Sequence, residues 1–296
     1  MVCWILTFNR PRALNRQIEV FGKDGCDIHV MSNHPLVQID RHLRPYVHNV
    51  VVNTLGDAES TAYTTRSWNA MFLKTFKQHD EAIFVQDDTL ITQEALEIVR
   101  TQTHQFDLIW GPAGDQFWYM KKLILRQVGF FDERFSTGAF CGDADFLKRV
   151  WFQCDQSRLS IVEKHDFGFM HQDIGLSHLI PTDVGHKAID PTYINQHQEC
   201  QQKSGNDLWM QYAQELFLNK WGHRLNGTGP LTDHPSPPRW TELFLYPWFT
   251  KKYLGYDGLP PWCLPYERTA YMSSVVVSGD TSGAITISAP AALEQL

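Results

Sequence analysis

The sequence predicts an α/β fold: a mostly parallel sheet flanked by helices, followed by an aromatic-rich C-terminal extension. Three observations carry this. Short apolar runs alternate with helical patterns over the first ~110 residues, the signature of βαβ units. Those runs are brief and end at turn residues, as buried strands do. One of them, Ala82 to Val85, stops abruptly at Asp87-Asp88. A buried strand that delivers acids to its C-terminal end is a common way for an α/β protein to present charge to a ligand.

The elements follow in order. Val2–Thr7 reads as a strand ending at Phe8-Asn9-Arg10-Pro11, with a helix around Ala13–Phe21. Asp27–Met31 is a second strand closed by Ser32-Asn33-His34-Pro35, and Val47–Val52 is a third. Ser60–Lys77 is a helix with Ser60 or Thr61 as cap and Ala62, Trp68, Met71, Phe72 and Phe76 among its apolar positions. After the Ala82–Val85 strand come a helix over Gln93–Thr103 and a strand over Asp107–Trp110. Beyond Trp110 the pattern changes to a strand at Phe117–Met120, a helix at Lys121–Val128, a loop at Gly129–Phe135 and a helix at Ala144–Phe152. Leu208–Trp221 reads as a further amphipathic helix. The domain organisation expected is an α/β unit over 1–225, an aromatic and Pro-rich extension over 226–272, and a loosely ordered tail over 273–296.

Composition narrows the function classes. A formal charge of −7 argues against wide non-specific binding to a phosphate backbone. Six cysteines show no CxxC or other metal-ligand spacing, which suits free thiols in a reducing compartment. No stretch approaches the ~20 apolar residues of a transmembrane helix, and no basic segment followed by a long apolar one opens the chain. The expectation is a soluble, cytoplasmic protein with no stable membrane span. The aromatic content of 13% leaves core packing and a sugar or base site both open.

The acid pair carries the chemistry. Two adjacent carboxylates repel each other unless a cation or a donor array compensates. Such oxygen ligands suit Mg²⁺ or Mn²⁺, which bridge carboxylates to substrate phosphates. From these residues alone, a solvated turn is the alternative. Thr7, Asn33 and Asp87-Asp88 share the strand C-terminal edge, though Thr7 and Asn33 are also ordinary turn residues. A second cluster, Gly142-Asp143-Ala144-Asp145, opens a helix, where the dipole favours carboxylates for structural as well as functional reasons.

Four motifs then line up: Thr7-Phe8-Asn9-Arg10-Pro11 with Leu14; the strand ending in Asp87-Asp88; Gly129-Phe130-Phe131-Asp132-Glu133-Arg134-Phe135; and Gly142-Asp143-Ala144-Asp145-Phe146-Leu147-Lys148-Arg149. The series resembles the GT-A glycosyltransferases of the family 2 type over roughly residues 2–222. The resemblance implies a GT-A, Rossmann-like fold and transfer of a sugar from a nucleotide-diphosphate donor, a UDP-sugar above all, to an acceptor hydroxyl with inversion. It places Thr7, Asn9 and Arg10, with Asn33, around the donor, and Arg66 and Asn69 beside the nucleotide sugar. Gln86-Asp87-Asp88 resembles the DxD region, with Asp88 the first choice of ligand for Mn²⁺ or Mg²⁺ and Asp87 a donor-site residue and second choice. Asp143 matches the general base, with Asp145 as the fallback, because the residue before the base is commonly Glu and here is Gly142. His171 stands where a histidine often completes the metal site; His165 and His178 compete with it.

Rival readings remain at this stage. A nucleotidyltransferase needs a Gly-rich phosphate loop, and Thr7–Leu14 contains no glycine. A non-catalytic glycan-binding relative fits the absence of an acid at Gly142 but not Asp88, Asp143, Arg66 and Asn69 together. Trp240–Tyr253 is read as packing on the catalytic unit, lining an acceptor, or touching a membrane interface. The tail Ser278–Ser288 looks similar to segments of phage tail proteins. If the chain is viral, the acceptor is a hydroxylated base in DNA or a glycan; otherwise it is a saccharide or glycoconjugate.

Overall fold

A computed structural model describes residues 1–8, 10–34, 36–53, 64–87, 89, 91–111, 116–132, 135, 141–163, 169–180, the helical positions 214, 217, 218 and 221, and strands at 272–275 and 284–286. The expected cap at Ser60 or Thr61, the residues Asn9, Asp88 and His165, the side chain of Arg66 and the Trp240–Tyr253 segment lie outside that description.

The fold is α/β. The strands are β1 (Val2–Thr7), β2 (Asp27–Ser32), β3 (Leu36–Gln38), β4 (Val47–Asn53), β5 (Glu81–Gln86), β6 (Leu108–Trp110), β7 (Phe117–Lys121), β8 (Leu159–Glu163), β9 (Phe169–His171), β10 (Met272–Val275) and β11 (Ala284–Thr286). The helices are α1 (Pro11–Lys23), α2 (Thr64–Phe76), α3 (Gln93–Gln102), α4 (Lys122–Val128), α5 (Gly142–Gln153) and α6 (Leu176–Leu179). Among the described residues, the main sheet runs β10-β4-β2-β1-β5-β7-β6-β8-β9. β4, β2, β1 and β5 are mutually parallel; β7 is reversed between β5 and β6; β8 returns parallel to β6. A two-stranded sheet joins β11 to β3.

β1 is buried at every position. Val2, Trp4 and Leu6 enter one core with Trp68, Phe72, Phe84, Trp118, Phe131 and Phe146, whereas Cys3 and Ile5 enter the other with Leu14, Ile18, Ile83, Val85, Leu96 and Val99. Alternation along the strand therefore feeds two cores. Helices α2, α4 and α5 cover the first face and α1, α3 and α6 the second. A strand covered on both faces must be apolar throughout, hence its unbroken apolar run.

Helix ends follow local chemistry. α1 begins at Pro11, which needs no N–H there. The Thr92 side chain accepts from the Ala95 N–H at 3.1 Å and starts α3. Two sequence expectations shift. α5 begins at Gly142, two residues before the Ala144 expected. The tail, expected to be loosely ordered, contributes β10 on the edge of β4 and β11 on β3; pairing the free edge of β4 is one way a sheet protects an exposed strand.

Candidate active site

Strand order reverses at β1: β2 lies on one side of it and β5 on the other. α1 and α2 consequently lie on opposite faces. This opens a crevice beyond the strand C-termini, the place where open α/β sheets take ligands.

Thr7, Arg10 and Asp87 meet there. The Asp87 N–H donates to the Leu6 carbonyl at 2.9 Å, continuing the ladder between β1 and β5 by one residue. Its carboxylate accepts from the Thr7 hydroxyl at 2.5 Å on one oxygen and from Arg10 Nη1 at 3.3 Å on the other. Thr7, Asp87 and Arg10 are 3, 2 and 8% exposed, so this is no solvated turn. The Thr89 N–H donates to the Gln86 carbonyl at 3.2 Å. Thr89 is itself pinned: its carbonyl accepts from Gln17 Nε2, and its hydroxyl donates to the Gln116 carbonyl at 2.9 Å.

Asn33 extends the same edge. Its N–H donates to the Thr7 carbonyl at 3.0 Å, and its side-chain oxygen accepts from the Ser67 hydroxyl. Ser32 Oγ donates to the His34 carbonyl at 2.7 Å and accepts from the His34 N–H at 3.1 Å, which holds the turn closed. The His34 ring meets Phe8 edge-on, with centroids 5.5 Å apart. Ser67 carried no motif signal in the sequence, and His34 appeared there only as a turn residue.

α2 joins this edge to the second acid cluster. Ser67 reaches Asn33, while Thr65, two residues earlier, packs on the start of α5: a Cβ at Gly142 would lie 2.9 Å from Thr65 Cγ2. Arg66 falls between them in sequence. One turn on, Asn69 clasps Phe131 through two bonds, its amide nitrogen to the Phe131 carbonyl at 3.0 Å and its oxygen from the Phe131 N–H at 2.9 Å. The resemblance implies a donor contact for Asn69; the geometry gives its amide the task of tying the Gly129–Phe135 segment to α2.

The two acids of α5 have different surroundings. Asp143, in the first turn, is 8% exposed and accepts from the Ala144 N–H at 2.8 Å. Cys141 before the helix is left-handed (φ 66°) and supplies no side-chain cap. Such a conformation is uncommon for a residue other than glycine and tends to occur beside functional groups. Asp145 is fully buried, accepting from Arg149 Nε at 3.1 Å and from the Trp221 indole N–H at 3.0 Å. Arg149 also donates to the Val128 carbonyl. Asp145 is therefore a structural anchor, and the expectation of a fallback base there is corrected: an acid with both oxygens bonded and no exposure has no access to an acceptor.

His171 is corrected as well. It ends β9 at the far margin of the sheet, in register with Ile161 in the middle of β8. Its Nε2 lies 2.8 Å from the carbonyl of Gln156, which precedes β8, and its ring meets Trp151 edge-on at 5.0 Å. β8 runs in the sense of β5, so these contacts draw His171 toward the strand N-terminal edge, away from Asp87. Sequence spacing does not report which end of a sheet a reversed edge strand delivers its last residue to. His178 lies on α6.

Among the described residues no three His, Cys, Asp or Glu side chains gather in a way that could hold a metal. No described helix is long and apolar enough to cross a membrane. No protein-family model and no curated protein matches this chain significantly.

Proposed function

We propose that this chain is a glycosyltransferase that moves a sugar from a nucleotide-diphosphate donor to an acceptor hydroxyl by single displacement. The observation that carries the reading is the locked Thr7–Arg10–Asp87 group at the strand-order reversal, joined through one helix, α2, to a second carboxylate at the start of α5. A donor in the crevice and a base beside it are the two parts that the reaction needs.

The residues divide the work. Asp87 has both oxygens bonded, so it sets the positions of Thr7 and Arg10. Arg10 brings a cationic side chain to the end where a diphosphate lies. Asp88, next to Asp87 in sequence, is the residue that would hold Mn²⁺ or Mg²⁺, with phosphate oxygens and water completing the shell, as suits these ions. When bound, the ion neutralises charge on the leaving diphosphate. Asp143 takes the proton of the acceptor hydroxyl as it attacks C1; this contributes typically ~10²–10⁴-fold in rate. A base on the face opposite the leaving group gives inversion.

The test is a screen of nucleotide sugars for Mn²⁺-dependent hydrolysis and binding, followed by transfer of labelled sugar to oligosaccharides and to hydroxymethylated DNA. Hydrolysis by the wild type that is lost in Asp88→Ala supports the reading. No turnover or binding of any donor, with Asp88→Ala behaving as wild type, sinks it. Binding of glycans without donor turnover leaves a glycan-binding protein instead. The two acceptor arms separate a saccharide from a DNA base.

A further inference from the structure

Cys141, which precedes α5, is left-handed and supplies no side-chain cap bond. Two contacts from outside the helix close around its first residue. A Cβ at residue 142 would lie 2.9 Å from Thr65 Cγ2 and 3.3 Å from Phe135 Cβ, so only glycine fits the approach. Neither neighbour yields easily. Thr65 is 1% exposed and β-branched, so its χ1 is confined to few wells. Phe135 is fully buried, its N–H bonded to the Asp132 carbonyl at 3.0 Å, in the segment that Asn69 of α2 clasps. α2 thus reaches Gly142 both directly and through that segment.

We propose that Thr65 and Gly142 form a key that sets the start of α5 against the start of α2, holding Asp143, the residue after Gly142, in fixed register for transfer. Both are positioning residues, and the proposal rests on the glycosyltransferase reading for its catalytic consequence. It also accounts for a glycine at this position: the Thr65 methyl occupies the room a side chain would need. Asp145 does not stand in for Asp143 at this helix start, since it is bonded to Arg149 and Trp221.

The test uses four full-length proteins: wild type, Gly142→Ala, Thr65→Ser and the double variant. Thr65→Ser removes the obstructing methyl and keeps the hydroxyl. Gly142→Ala is expected to lower kcat roughly 10–100-fold, the scale of a displacement of about 1 Å, with donor KM little changed. It also lowers the thermal midpoint. Thr65→Ser alone stays near wild type. The double variant recovers most of the midpoint and a large part of kcat, because the added Cβ now has space. A double variant no better than Gly142→Ala on either readout overturns the proposal, as does an unchanged kcat in Gly142→Ala. If Gly142→Ala does not fold, soluble double variant supports the key and insoluble double variant overturns it. A wild type without donor turnover sinks the glycosyltransferase reading, and the midpoint cycle then still decides whether these two residues key the helices.

Discussion

Arg10 and Asp87 form a buried ion pair, 3.3 Å between Nη1 and Oδ1, across the point where the strand order of the sheet reverses. The Thr7 hydroxyl occupies the other carboxylate oxygen. Asp87→Ala leaves a buried guanidinium without its carboxylate and a hydroxyl without its acceptor. The expected loss is about 3 kcal/mol of unfolding free energy, read from urea denaturation, together with weaker donor binding. A variant as stable as wild type shows that the pair does not hold this edge.

The two acids of α5 are expected to separate cleanly. Asp143→Asn lowers transfer by ~10²–10⁴-fold while leaving the thermal midpoint near wild type. Asp145→Asn does the reverse in kind: it unpairs Arg149 inside the core and costs about 3 kcal/mol of stability. Calorimetry and turnover on the same two samples decide it. Equal loss of turnover at unchanged stability for both would return Asp145 to the catalytic group.

Asn69 offers a parallel test. Removing its amide in Asn69→Ala leaves the buried Phe131 N–H and carbonyl without these partners, at about 2 kcal/mol. On the proposed glycosyltransferase function, lower stability with the donor KM of the remaining folded protein preserved fits the clasp. A raised KM with full stability fits a donor contact instead.

His171→Ala is expected to leave the Mn²⁺ concentration for half-maximal activity unchanged, whereas Asp88→Ala raises it or abolishes activity. A shift of tenfold or more in His171→Ala contradicts the placement of His171 at the strand N-terminal side.

Lys148 supplies a pH signature. Its ammonium lies 5.0 Å from the Trp221 ring centroid and 5.6 Å from that of Phe152. Burial pushes its pKa down to about 8, against an opposing pull from Asp145. The unfolded chain keeps this proton to about 10.4. Between these values the unfolded state binds more protons, so stability rises with pH. The gain is complete above the unfolded pKa and is lost as pH falls through about 8. Lys148→Met removes the ammonium, so the variant's advantage over wild type in unfolding midpoint is largest below pH 8 and shrinks toward pH 10. An advantage independent of pH shows that the ammonium is not desolvated.

Much of the fold was legible because burial is periodic along the chain. Ala82–Val85 announced a strand and Gln93–Thr103 a helix through local pattern alone, and the acid pair was legible as the end of that strand. The reversal of β7 was not, since Phe117–Lys121 is apolar whichever way it runs. Nor were β10 and β11, short stretches of three or four residues that pair with β4 and β3 far away in sequence.

The sequence by itself determined which residue types stand at the strand ends and helix starts: Thr7, Arg10 and Asp87 on one side, Asp143 on the other. Tertiary structure alone decided which of them are bound to structural partners. Asp145 and Asp143 look alike in a helix start. One is anchored by a tryptophan 76 residues later, and only packing brings that indole to it. His171 likewise has a spacing that suits a metal site and a strand direction that does not. Local periodicity encodes which side of an element is buried; the partner buried against it is set by contacts between distant segments, which no single stretch of chain contains.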